Sequence, residues 1–206
     1  MKSLVIVLIT LLSSVTFAQN NFDQDMKKAF STWEKGNLSA AKAFEMVQKN
    51  HSAEWLPKYY QAFTLTLASF EETNPLEKEK LIDEAKGIIH NLETKYPSNE
   101  EILNVKALNL SSEIMLNPMM NGFAMMEEVQ SVYTKALLLN ANNPRSILGQ
   151  AEFNIGASKF IGGDISKDCK AVEKAVALFE AEKPNQFEPN WGKDRAEMVL
   201  NNDCKN

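Results

Sequence analysis

The chain has 206 residues, with 22 Lys plus Arg against 27 Asp plus Glu, a formal charge of -5, and acidic and basic side chains interspersed throughout. That balance excludes the basic footprint by which a protein releases counterions from duplex nucleic acid. With only 8 Gly and 7 Pro, and no segment alternating apolar and polar residues as a strand does, the composition points to helices.

At the start of the chain, Lys2 precedes an apolar run over 4–12 and a small-residue stretch over 13–18 that ends on Ala18. This pattern predicts a secretory signal peptide over 1–18, cleaved after Ala18, with a core too short to span a bilayer comfortably. The mature chain, 19–206, is expected to be one domain, exported to a periplasmic or extracellular compartment and not embedded in a membrane.

Helical periodicity follows. Leu81, Ala85, Ile88, Ile89, Leu92 and Tyr96 recur at helical spacing, as do Val129, Val132, Tyr133, Ala136 and Leu137, and each set defines one face to bury. Asn74-Pro75, Asn117-Pro118 and Asn143-Pro144 each place a capping Asn before a Pro suited to the first helical position, and 98–101 reads as a capping box. Small residues repeat in register: Ala62, Ala107 and Ala151 are separated by 45 and 44, and Ala41, Ala85, Val129 and Ala171 by 44, 44 and 42. Pro75, Pro118 and Gly162 keep the same step. A period near 44 implies stacked helical pairs, here about 22–50, 53–95, 99–140 and 144–182.

Residues 129–144, 170–178 and 83–97 resemble the second halves of tetratricopeptide repeats, each with a small residue inside an amphipathic helix, and 36–41 matches their short turn. The resemblance implies an all-α, right-handed solenoid of antiparallel hairpins over 22–182. In the second to fourth pairs the spacing departs from that family in the half between the two helices, which is about ten residues longer through longer helices or longer turns. After a Pro-containing link, Trp191 opens a short helix expected to cap the array, over about 190–204. In an oxidising compartment Cys169 and Cys204 are expected to bond and hold that cap, the alternative being two independent thiols. Such a crosslink contributes roughly 3–4 kcal/mol by the chain-entropy argument.

Enzyme chemistry finds no foothold in the sequence. His51 and His90 lack metal-ligand neighbours at helical spacing, and His90 is expected to be partly buried and structural. Phosphate loops, nucleophile elbows and zinc motifs are missing. No catalytic residue and no cofactor is expected, and the reading is a non-catalytic scaffold for a protein or peptide partner. What the resemblance implies for the site is a concave groove lined from the first helix of each pair. Counting from Ala62 gives Leu56, Tyr59, Phe63, Thr66 and Leu67; from Ala107, Glu101, Asn104, Leu108, Ser111 and Ser112; from Ala151, Arg145, Leu148, Glu152, Ile155 and Gly156. Tyr59 and Arg145 are the two whose chemistry helix packing explains least, and both belong to types that dominate binding energy at interfaces. The alternative reading rests on 115–126, which holds five of the nine methionines, Met115, Met119, Met120, Met125 and Met126, around an expected turn at Pro118 and Gly122. That alternative is binding of Cu(I), by Met119, Met120, Met125 and Met126, or of a hydrophobic ligand through the same turn: thioethers select Cu(I), and they also fill irregular gaps or line adaptable apolar surfaces.

Overall fold

The computed structural model describes residues 21–205; the leader expected over 1–18 lies outside them. Among the described residues there are nine helices and no strand. They are α1 (21–33), α2 (Asn37–Asn50), α3 (Leu56–Glu71), α4 (Pro75–Lys95), α5 (Glu100–Ile114), α6 (Pro118–Leu139), α7 (Pro144–Ile161), α8 (Ser166–Ala181) and α9 (Lys193–Val199). The last runs into one wide π-helical turn, Leu200–Cys204.

Local chemistry sets the helix starts. Before α4 the Asn74 side chain accepts from the N–H groups of Leu76 and Glu77, before α6 Asn117 accepts from Met120, and before α7 Asn143 accepts from Ser146. In each case Pro takes the first helical position, where its missing N–H costs nothing. The capping box expected at 98–101 does not form as read. Asn99 is the cap of α5, accepting from Glu101 and Ile102 at 3.0 and 3.2 Å, and the Glu101 side chain turns inward to Arg145 instead. Gly162 ends α7 in the left-handed region at φ 78°, and the Ser158 carbonyl accepts from the N–H groups of both Gly162 and Gly163.

The extra length of the second to fourth pairs lies in the helices, because the links within them are short. Residues 72–74, 115–117 and 162–165 suffice to join α3 to α4, α5 to α6 and α7 to α8. The methionine-rich segment is accordingly a correction: 118–126 is the first part of α6 and not a turn, since the Asn117 cap and Pro118 start a helix there and Gly122 is carried within it.

Consecutive helices pack on one another, and α3, α5 and α7 also touch in succession, forming a shared layer. Of the small residues in register, Ala62, Ala107, Ala41, Ala85 and Val129 are buried and let backbones approach; at the last repeat the buried positions are Val172 and Ala175, with Ala171 only half-buried. The first core cluster is aromatic, with Phe44 stacked on Tyr60 at 5.1 Å and Phe30 edge-on to Tyr60 at 4.8 Å. A second cluster joins α7, α8 and α9 through residues such as Ile147, Ala151, Phe179, Ala196 and Val199. Cys169 and Cys204 are disulfide-bonded, with Cα atoms 5.4 Å apart, tying the terminal turn to α8 beside that cluster.

His90 is exposed, correcting the expectation of a partly buried residue, while His51 pairs with Asp25 at 2.8 Å. Trp191 also differs from its expected place over the last pair. The segment between α8 and α9 runs back across the molecule, so that Trp191 stacks on Phe63 of α3 at 4.3 Å and Phe187 on Phe30 of α1 at 5.9 Å.

Candidate ligand-binding groove

The α3, α5 and α7 layer forms one wall of a cavity of about 900 Å³, closed by the first half of α6 and by the segment around Trp191. Phe63, Leu67, Leu108 and Leu148 line its layer side, and Phe123, Met126, Phe153 and Phe160 face them from α6 and the far end of α7. The surface is predominantly apolar, in the size range of pockets that enclose small molecules. No His, Cys or Lys contributes to the lining.

Nine of the groove positions counted from the small residues lie on this one cavity: Phe63, Leu67, Asn104, Leu108, Ser111, Arg145, Leu148, Glu152 and Gly156. Leu56, Tyr59, Thr66, Glu101, Ser112 and Ile155 do not. The position immediately after each small residue lines the cavity in all three helices, whereas those four and five later alternate, because helices of unequal length present their last turns in different phase.

Tyr59 needs correction most plainly. It is 0% exposed and belongs to the aromatic core, edge-on to Trp55 and Tyr60. Its hydroxyl donates to Glu101 at 3.4 Å and accepts from the Trp191 indole at 2.8 Å. Burial pushes this phenol well above its ordinary range, with the Glu101 charge adding to the effect.

Arg145 is 4% exposed and already committed. Its Nε donates to both Glu101 oxygens at 2.8 and 2.9 Å, and its terminal nitrogens hold the two oxygens of Glu182. Burial disfavours the guanidinium charge, but the Glu182 hydrogen bonds and the Glu101 charge outweigh it, so the group is held above its ordinary pKa. On the other side of the pair, burial raises the Glu101 carboxyl, offset only in part by Arg145 and Asn143. Arg145 thus braces α5, α7 and the end of α8, and packing explains it fully. Beyond it lies a second cleft of about 460 Å³ with a mixed lining that includes Glu101, Asn143 and Glu182 beside Trp55 and Leu178.

The other predicted polar groups are also largely used up. Asn104 donates to Asn143 and accepts from Ser146, Ser111 donates to the Ala107 carbonyl, and Glu152 is paired with Arg195. The rim is different: Met115, Phe123, Phe160 and Ile161 line the cavity and are exposed as well. Met119 and Met120 are exposed outside the lining, and Met125 packs against the α5–α6 cluster. Of the five methionines, Met115 and Met126 reach the cavity. Among the described residues no group of three or more His, Cys, Asp or Glu is placed to hold a metal ion.

Counting from the small residues missed the half of the cavity built by α6, the α7 terminus and the returning segment, of which the alternative reading at 115–126 had singled out only the α6 part. Tyr133 was read only as one more position on a helix face. The signals available were the uncharged, Met- and Phe-rich start of α6 and the Phe160-Ile161 pair ahead of two glycines.

Among the described residues the fold is all-helical with a large apolar cavity between the helices, a geometry that singles out no specific ligand. No protein-family profile and no curated protein matches the chain. Among solved structures, the HusA haemophore from Porphyromonas gingivalis is similar, with a TM-score of 0.74, 22% identity, and coverage of 88% of this chain and 90% of that chain. At that identity the likeness is one of fold.

Proposed function

We propose that the protein is a non-catalytic carrier of a broad, largely apolar small molecule, with haem or a related porphyrin as the foremost candidate cargo. The observation that carries this reading is the groove itself: an apolar cavity of about 900 Å³ whose aromatic and aliphatic walls match the body of a macrocycle. The fold it shares with a protein described as a haemophore supports the choice of cargo. An extended peptide is a poorer fit, because peptide backbone needs unengaged polar partners, and Asn104, Ser111, Arg145 and Glu152 are engaged within the protein. For the cargo's iron, the thioethers of Met115 and Met126 are the soft donors in the lining besides the carboxylates.

We also propose that the helical pairs are a tetratricopeptide-like array with elongated repeats, and that the chain is exported. A disulfide between Cys169 and Cys204 suits an oxidising compartment.

Titration of the mature protein with haem, followed by the Soret absorbance, tests the cargo. A single saturable change is expected, and Leu108→Arg, which puts a cation on the groove wall, should abolish it while helix content by circular dichroism is kept. A wild-type titration without saturation, or one unchanged in Leu108→Arg, overturns the reading.

A further inference from the structure

Tyr133 stands apart from the other polar groups of the groove. It is 3% exposed, on the inward face of α6, yet it lines the cavity, and its hydroxyl makes no hydrogen bond among the described residues. Its position is built: the phenol tip lies against the α7 backbone at Gly149, where an added Cβ would sit 2.5 Å from the hydroxyl oxygen. Gly149 itself lines the cavity and has an ordinary helical backbone, so it is the space and not the conformation that calls for glycine. The hydroxyl oxygen is not sealed in the core but keeps access to the cavity, so its hydrogen-bonding capacity is directed at whatever occupies the groove.

We infer that Tyr133 is a specificity-determining residue of the groove, donating its phenolic hydrogen to an oxygen acceptor, a carboxylate or carbonyl, carried by an otherwise apolar ligand. The inference rests on the groove being the binding site, but not on haem being the cargo. Burial raises this phenol above its ordinary range and the Glu152 charge raises it further, so it keeps its proton and serves as a donor. The less exposed charges of the lining are matched, Glu152 by Arg195 and Arg145 by Glu101 and Glu182, and Asp194, a carboxylate without such a pair, is exposed, which leaves the hydroxyl as the buried donor. Because all but its tip is held by α5, α6 and α7, the donor is pre-organised and little entropy is lost when it bonds.

The test uses three fluorescent probes of one shape: diphenylhexatriene, its propionic acid derivative, and the methyl ester of that acid. In wild type, the acid and the ester should bind more tightly than the parent hydrocarbon. Tyr133→Phe removes one oxygen and keeps the ring, so it should weaken the acid about tenfold or more, and the ester less, leaving the hydrocarbon unchanged. Gly149→Ala retains the hydroxyl but displaces it, and should give the same selective loss. Equal weakening of all three probes by Tyr133→Phe, or none, overturns the assignment, as does failure of every probe to bind wild type. If haem fails to bind while the acid shows the Tyr133 dependence, the haem reading falls and this one stands.

Discussion

Trp191 donates its indole N–H to the Tyr59 hydroxyl at 2.8 Å, across 132 residues of sequence. Together with the stacking of Trp191 on Phe63 and the hydrogen bond from Tyr60 to the Phe187 carbonyl, it fastens the segment before α9 to α3. The same contact closes one end of the groove, so stability and ligand access meet at one side chain.

Replacing Trp191 should therefore affect both. Trp191→Ala is expected to cost about 3 kcal/mol or more in urea denaturation, as truncating a large aromatic does, and to weaken binding of whatever occupies the groove. Trp191→Phe keeps the stacking and loses only the hydrogen bond, for about 1 kcal/mol. Equal losses from the two variants would mean that the indole N–H, and not the ring, holds the segment.

Arg145→Ala should destabilise strongly, by about 3–5 kcal/mol, because it leaves the buried Glu101 carboxylate without its cation. The double variant Arg145→Ala with Glu101→Leu should lose less than Arg145→Ala alone, since no orphaned charge remains. Thermal unfolding of the three proteins measures the difference, and simple additivity would argue against a coupled pair.

How far the sequence carried differs between backbone and site. Capping Asn-Pro pairs and the buried faces of Ala85 and Val129 were legible because they depend on neighbours three or four residues away. Arg145 and Tyr59 misled for the opposite reason: their partners, Glu101, Glu182 and Trp191, lie 37 to 132 residues distant, and no periodicity reports such pairings. The first-helix wall of the groove could be counted from Ala62, Ala107 and Ala151. Its other wall could not, because it depends on how the start of α6 stands against the end of α7. The return of Trp191 to α3 was equally hidden, for a link rich in Pro reveals that it is extended without revealing its direction.

Glu93 predicts how stability responds to acid. Burial alone would raise its carboxyl, but the hydrogen bond and charge of Lys106 at 2.8 Å, helped by Lys135, outweigh that and hold it below the ordinary range. A depressed carboxylate contributes stability that is present above its unfolded-state pKa and is lost as pH falls through the folded-state value. Urea midpoints measured from pH 7 down to 3 should thus fall more steeply for wild type than for Glu93→Gln. Parallel curves would remove Glu93 from the acid response.

Disulfide reduction should loosen the C-terminal end first. Cys169→Ser with Cys204→Ser opens a crosslink spanning 35 residues, with an expected loss of about 3–4 kcal/mol from the freed unfolded chain. Hydrogen exchange should rise at α9 and the turn Leu200–Cys204 before it rises at α3 or α5, whose cores do not include that end. Uniform loss of protection would show that the array unfolds only as a whole.

The rim of the groove separates binding from folding most cleanly. Phe123 and Phe160 line the cavity but are 74% and 63% exposed, so the folded protein gains little from their burial and loses solvation by presenting them. Large exposed apolar side chains gathered beside a cavity are best explained by something that covers them. Phe123→Ser and Phe160→Ser should each change stability by no more than about 0.5 kcal/mol, the usual range for surface positions. If an apolar ligand sits in the groove and reaches this rim, the same changes should weaken it several-fold each, since each removes an aromatic contact that exists only in the complex. Paired measurements of the urea midpoint and of haem affinity decide the matter. Stability lost in proportion to affinity would make these residues part of the fold, whereas unchanged affinity in both would place the ligand deeper, against Leu108, Tyr133 and Leu148, with the rim left free of it.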